Sequence, residues 1–430
     1  MTTAATPPFQ LTAENKYQLL IQISQKIRDT LDLDEILGHL LDTVHSVLPY
    51  DAAGIFVLNE DLSHPRGSQP RALIAGITRR GFDQASEDND RMLMHGEGIT
   101  GQVIRSARPV IVPDVRLDSR YVVGRSTTLS EITVPLLRGE RAIGALNIES
   151  DQLAAFDEGH LEILQFFADA AAISVEKATL HRRLVEQREM EAQIQTASAI
   201  QGRLLPSSAP QLEGYDIAGI SLPAFAIGGD YYDCISLPDG SLGLVIADVS
   251  GNGVPAALVM SAFRALLRTQ AAGAPDPGQH FTAINQLLPD FCGEHDFVTA
   301  VYAVLHPITG QLDYTNGGHP PLLLCHADGT VDSLRHVGPA LNMEADCKYP
   351  TRSLCLDPGG MLAMFTDGVF DILAPDQRSF PWATLTDTLI AARGLPAAEV
   401  IAAVRLATRQ FAASDFYEDD FTLVIVRRLA

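Results

Sequence analysis

Apolar positions first recur at helical spacing. Leu19, Leu20, Ile23 and Ile27, then Leu33, Ile36, Leu37, Leu40, Leu41 and Val44, fall three and four residues apart, which predicts two amphipathic helices from Asn15 onward. Asp32 or Asp34 is placed to cap the second. The period then shortens. Residues 52–60 (AAGIFVLNE) and 71–78 (RALIAGIT) read as strands around a polar stretch at 60–71. Glycines at 95–115 mark a turn entering a short helix, followed by a β-branched run. Residues 131–150 predict a hairpin turning at Arg138, Gly139 and Glu140. From Phe156 to Leu205 the pattern is helical again, apolar at Leu161, Leu164, Ala168, Ala171, Val175, Leu180, Leu184 and Ile194. One core cannot cover a helix of that length, so pairing with a second copy as a coiled coil, or packing as a signalling connector, is expected, although Gln187 and Glu191 interrupt the heptad seam.

Pro206 stops this helix, and 207–214 reads as a linker. Strands follow at YDIAGISL, SLGLVIADV, FVTAVYAVLHP, QLDYTNGG, PLLLCHADG, MLAMFTDG and FTLVIVRRL, with helices near 254–270, 278–291, 382–392 and 396–413. Strands and helices are segregated, which predicts sheets stacked on each other with helices outside. The expected organisation is a disordered segment at 1–14, a front domain at 15–178, the helix at 156–206 and a back domain at 207–430.

A chain of 430 residues is too long for one core and suits this division. Residues 1–205 carry 20 basic against 28 acidic side chains, and residues 206–430 carry 11 against 25, for a total of −22. No basic stripe is available to displace phosphate counterions, so a nucleic-acid partner is not expected. No apolar run is long enough to span a bilayer, and the N-terminus lacks the pattern of a secretory signal, so no membrane and a cytoplasmic location are expected. Cys234, Cys292, Cys325, Cys347 and Cys355 are odd in number and show no CxxC spacing, which fits reduced thiols.

Four acidic motifs punctuate the back domain beside apolar strands: GGDYYD (228–233), ADVSGNG (247–253), FTDGVFD (365–371) and EDDFT (418–422). Aspartates just past several strand ends can converge from distant parts of a sequence. Hard divalent cations take oxygen ligands, and two of them can activate one water against a phosphoryl group. Gly228, Gly229, Gly251, Gly253 and Gly368 would let backbone approach ion and phosphate. Taken singly, an Asp-Gly pair is an ordinary turn and an Asp-Asp pair a solvated one. The four in this order form a distinct set.

On these motifs, and on the lead-in AQIQTASAIQGRLLP (192–206), residues 207–430 resemble the PPM (protein phosphatase 2C-like) superfamily, in the bacterial SpoIIE and RsbU branch. The resemblance implies an α/β/β/α sandwich with two Mn²⁺ or Mg²⁺ ions in a cleft. It implies Asp230 and Asp248 as ligands, Asp248 bridging, with the Val249 carbonyl, Asp367 and Asp419 completing the set; Asp420 is the alternative to Asp419. Asp233 is expected to orient waters in the outer shell. Asn252, between Gly251 and Gly253, stands where the branch commonly has His, and an amide cannot act as a general acid. His319 in TNGGHPPLLL is a candidate base, but a histidine pinning a turn is favoured. The helix after Asn252 is expected to pack the core and, by the resemblance, to belong to a switch that positions Asp248.

Residues 15–178 resemble a GAF domain, on the helix pair, GEGITGQVIRSARPVIVPDV, ITVPLLRGERAIGALNIES and the closing helix AFDEGHLEILQFFADAAAISVEKA. The fold implied is an antiparallel sheet flanked by helices, and the whole chain is an α+β multidomain protein. Lack of cysteine excludes a thioether-linked bilin there, and Asn147 is followed by Ile148 where the cyclic-nucleotide signature has lysine. The function expected is a GAF-regulated, metal-dependent serine phosphatase acting on a phosphoprotein of the STAS anti-anti-sigma class, dimeric through its helix. A small molecule or protein of unknown identity would act at the GAF domain. The alternatives are a pseudophosphatase that binds a phosphoprotein and a dimeric ligand sensor without hydrolysis.

Overall fold

The computed structural model describes residues 32–58, 74–82, 95–273, 276–293, 295–335, 337–414 and 417–430. The expected disordered segment, the first helix and the polar stretch at 60–71 lie outside them. The chain divides into two compact units, Met1–Arg188 and Glu189–Ala430.

The first unit opens with α1 (Leu33–Val47), capped by Asp32, whose carboxylate accepts from Glu35 N at 3.1 Å. Five strands follow, with α2 (Gly98–Ser106) between them: β1 (Ala52–Leu58), β2 (Ile74–Arg80), β3 (Val110–Val112), β4 (Ser130–Arg138) and β5 (Arg141–Ser150). They pair antiparallel in the order β2-β1-β5-β4-β3. Gly139 turns the β4–β5 hairpin at φ +63°, as the sequence predicts. Alternation sets the two faces. Ile55, Ile132, Val134, Leu146 and Ile148 pack with Leu37, Leu41 and Val44 of α1 and with Phe167 and Ala171 of the long helix. Phe56 and Ala145 face the other way, onto Ile99 and Val103 of α2.

Helix α3 (Glu158–Gly202) runs 45 residues, roughly 67 Å at 1.5 Å per residue. Its buried residues lie between Ile163 and Ala178, and beyond them Leu180, Leu184, Met190 and Ile200 are exposed. No helix among the described residues is long and apolar enough to cross a membrane.

The second unit holds β6 (Tyr215–Leu222), β7 (Tyr231–Ser236), β8 (Leu242–Val249), α4 (Gly253–Ala271), α5 (Pro277–Leu287), β9 (Val298–His306), β10 (Gln311–Gly317), β11 (Leu322–Cys325), β12 (Val331–Leu334), β13 (Arg352–Cys355), β14 (Met361–Phe365), α6 (Trp382–Ala392), α7 (Ala397–Ala412) and β15 (Phe421–Arg428). Two five-stranded sheets result, in the orders β13-β10-β9-β8-β7 and β12-β11-β14-β15-β6. Strand parity builds the layers. Val245, Ala247 and Val249 of β8 pack under α4 and α5, whereas Leu244 and Ile246 meet Leu362, Met364, Val424 and Val426 of the facing sheet. Phe365, Leu423 and Ile425 point outward onto Leu385, Leu389, Val400 and Val404 of α6 and α7. The α/β/β/α sandwich is thus as expected. Strands β7, β12 and β13 were not anticipated from the pattern.

Phe263 of α4 is fully buried and meets Tyr231 and Phe281 edge-on, at centroid distances of 6.2 and 6.4 Å. Phe263→Ala should destabilise the second unit by about 3–5 kcal/mol, read as a shift in its denaturant midpoint. A negligible shift would contradict this packing.

Candidate metal centre

The acidic motifs sit at one end of the sandwich, and strand pairing explains why. Tyr231 of β7 lies opposite Ala247 of β8, so the next residues outward, Asp230 and Asp248, are neighbours across that sheet edge. In the other sheet Phe365 lies opposite Leu423, and beyond this pair Thr366 N donates to the Thr422 carbonyl at 3.1 Å. Asp367 opens a tight 3₁₀ turn there, while Asp419 and Asp420 lead into β15.

Asp230 forms the floor at 5% exposure, its Oδ2 accepting from Thr366 Oγ1 at 2.8 Å. Asp248 and Asp367 are half-buried and Asp419 is exposed. Burial, then the Asp248 charge, pushes the Asp230 carboxyl well above the usual range. Burial with Asp367, Asp419 and Asp420 pushes Asp248 up to about 8. Burial and Asp419 raise Asp367 in the same direction. Each group therefore feels the others, and divalent cations are the counter-charges that would relieve them. Among the described residues no three acidic, imidazole or thiol side chains enclose an ion on their own. The carboxylates run from buried Asp230 to exposed Asp419, which suits hard ions that retain water, and the donor set is all oxygen.

The alternative between Asp419 and Asp420 has a structural counterpart. Asp420 is 8% exposed; its Oδ1 accepts from Ala224 N at 2.8 Å and its Oδ2 from Gly229 N at 2.7 Å. It pins the loop that carries Asp230. Asp419 keeps its carboxylate at the surface of the cleft and accepts only from Asp420 N, at 2.8 Å. Gly228 and Gly368 were expected to admit ion and phosphate, but they make room for Asp420. A Cβ on Gly228 would lie 2.0 Å from Asp420 Oδ2, and one on Gly368 2.1 Å from the Asp420 carbonyl. Gly229 approaches the Val249 carbonyl, 2.8 Å from where its Cβ would be. Gly251 and Gly253 adopt φ of +85° and +70°, and Asn252 between them is exposed at the start of α4 with no capping hydrogen bond.

Two expected residues lie elsewhere. Asp233 is 2% exposed, and its carboxylate accepts from the Tyr231 hydroxyl at 2.7 Å, Cys234 N at 2.8 Å and Arg268 Nε at 2.7 Å. These bonds tie β7 to α4 and leave it no role in orienting waters. His319 is 2% exposed; Thr299 Oγ1 meets its Nδ1 at 2.8 Å and its N donates to Asn316 Oδ1 at 2.9 Å. Burial lowers its imidazole to about 3, with the Phe365 and Thr299 backbone partly offsetting that, so it stays neutral as the turn-pinning histidine. Sequence reasoning missed Thr366 and Gln201. Gln201 Nε2 donates to the Gly228 carbonyl at 2.7 Å, and Gly228 N donates back to Gln201 Oε1 at 3.2 Å.

The fold and this cleft define a PP2C-like domain. It superposes on the SiaA-PP2C domain of Pseudomonas aeruginosa with a TM-score of 0.51 at 23% identity, covering 56% of this chain and 98% of that one. Residues 238–429 match the family model for Stage II sporulation protein E (SpoIIE), and residues 30–176 match the GAF domain. The chain therefore carries a GAF domain followed by a PPM phosphatase domain of the SpoIIE type. It is 32% identical over 184 residues to phosphoserine phosphatase RsbU of Bacillus subtilis, spanning 43% of this chain and 55% of that protein. It is 32% identical over 227 residues to Protein IcfG of Synechocystis sp., spanning 46% of this chain and 36% of that protein. The chain thus spans about a third to half the length of these relatives.

Because Asp233 is held by Arg268, Arg268→Ala should lower stability by about 1–3 kcal/mol by leaving a buried carboxylate short of a partner. Affinity for Mn²⁺ should stay unchanged. Unaltered stability with weakened metal binding would return Asp233 to the outer shell.

Proposed function

We propose that this protein is a metal-dependent protein serine phosphatase regulated through its GAF domain. The observation that carries the proposal is the convergence of Asp230, Asp248, Asp367 and Asp419, mutually repelling, at one end of two facing sheets. With the Val249 carbonyl, these residues would hold two Mn²⁺ or Mg²⁺ ions. Such ions supply the positive charge that polarises a phosphoryl group and activates water. The chain's own part is positional: Thr366 fixes Asp230, and Asp420 fixes the loop behind it. No imidazole is present at Asn252, so proton delivery to the leaving serine falls to solvent and turnover is slow. Val254 and Leu258, exposed on the first turns of α4 beside the cleft, offer an apolar contact suited to a protein substrate. The likeness to phosphoserine phosphatase RsbU favours a phosphoserine; a protein of the STAS class is the substrate we expect to carry it.

The exposed apolar residues of α3 beyond Ala178 support a homodimer paired through this helix. The two-way amide clamp from Gln201 ends α3 on Gly228, two residues from Asp230. Leu204 continues the contact, its carbonyl accepting from Arg264 Nε of α4 at 2.8 Å. A shift of α3 would thus reach both Asp230 and α4, and signals from the GAF domain would be read out as metal affinity.

Two experiments test this. Asp230→Asn and Asp248→Asn should each abolish Mn²⁺-dependent hydrolysis of p-nitrophenyl phosphate and of a phosphoserine protein. Retained metal binding with no hydrolysis in the wild-type chain would favour the pseudophosphatase instead. Gln201→Ala should weaken Mn²⁺ affinity several-fold while leaving kcat at saturating metal intact; unchanged affinity would remove α3 from the control of the site.

A further inference from the structure

The α2 face of the first sheet buries polar side chains where a sheet ordinarily buries apolar ones. Glu131 and Glu149 are each 3% exposed, Asn147 4% and Thr133 0%. Register sets Glu131 of β4 directly opposite Glu149 of β5, and Thr133 opposite Asn147. Like charges facing each other across antiparallel strands are destabilising, and burial makes them more so.

The surroundings satisfy these groups only in part. Thr133 Oγ1 donates to Glu131 at 2.6 Å. Thr128 Oγ1 at 2.6 Å, Tyr121 at 3.4 Å and Asn147 Nδ2 at 3.3 Å donate to Glu149. Among the described residues neither glutamate has a salt bridge. Of the nearby arginines, Arg125 pairs with Asp151 and Arg120 with Asp118, while Arg79 lines the same pocket. Asn147 Oδ1 is buried with no hydrogen-bond partner. Glu131, Glu149 and Asn147 line one pocket with Phe56, Tyr121 and Phe82, narrow and open to solvent. Gly54 of β1 keeps it clear: a Cβ there would sit 2.9 Å from Asn147 Oδ1 and 3.0 Å from the Phe56 ring.

We propose that this pocket binds a small organic cation, an amine, amidine or guanidine, whose N–H groups reach Glu131, Glu149 and the free oxygen of Asn147. The aromatic walls suit such a cation as well. Burial and the Glu149 charge push Glu131 up to about 8. The lining Arg79, stacked 5.8 Å from the Phe82 ring centroid, makes a small anion the rival occupant. The inference concerns the GAF unit alone and stands whether or not the second unit is a phosphatase.

The test uses the full chain in calorimetry and thermal melting. Agmatine, putrescine and benzamidine serve as probes, and succinate and inorganic phosphate at matched ionic strength are the anionic controls. At least one cationic probe should bind and raise the melting of the GAF unit. Glu149→Gln and Glu131→Gln should each weaken that binding by about tenfold or more, and Gly54→Ala should block it. Without probe, neither Gln variant should melt below the parent chain, because Glu131, pushed up to about 8, already favours its neutral form near neutrality. No response to any cation, a response to the anions instead, or Gln variants that bind as before and melt lower would overturn the proposal and leave the pair structural.

Discussion

Carboxylates gathered at the end of the sandwich repel one another, and the layout of the second unit follows from holding them there. Two unit charges about 4 Å apart near a protein surface repel by about 4 kcal/mol, against a total domain stability of about 5–15 kcal/mol. Such a cluster cannot be carried fully ionised without positive charge nearby. Burial first and that repulsion second displace Asp230, Asp248 and Asp367 upward, and the all-oxygen lining indicates which cations would relieve them. The rigid parts of the fold act against the repulsion: two sheets locked by interleaved Leu, Ile and Val, with strand ends that cannot drift apart.

Two adjacent aspartates divide the work at the mouth of β15. Asp420 spends its charge on backbone N–H groups of the 224–230 loop, so it is a fastener. Asp419 is exposed beside it. The same loop is gripped from the far side by Gln201 at the end of α3. The segment at Asp230 is thus held by Asp420 and Thr366 from the facing sheet and by Gln201 from the connecting helix.

Much of this was legible in the sequence because burial alternates along strands. Leu244 and Ile246 against Val245 and Ala247 form a doubly buried strand, and the helix-period runs at 254–270 and 278–291 had to cover its outer face. The missed strands lacked that signal. Val331–Leu334 and Arg352–Cys355 are edge strands with few buried residues. β7 carries Asp233, whose charge is met only by Arg268, 35 residues on. Asp419 and Asp420 could not be separated beforehand, because neighbouring residues point to opposite sides and only the register decides which one faces the cleft. The glutamates of the GAF pocket were hidden for the same reason: eighteen positions apart, they look like polar ends of a hairpin until pairing sets them face to face.

The most direct measurement is anomalous diffraction at the manganese edge from crystals of the chain soaked in Mn²⁺. Two peaks within coordination distance of Asp248, flanked by Asp230 and by Asp367 with Asp419, are the predicted result. An empty cleft at saturating Mn²⁺, or ions bound only at Asp233 or Asp420, would contradict the account.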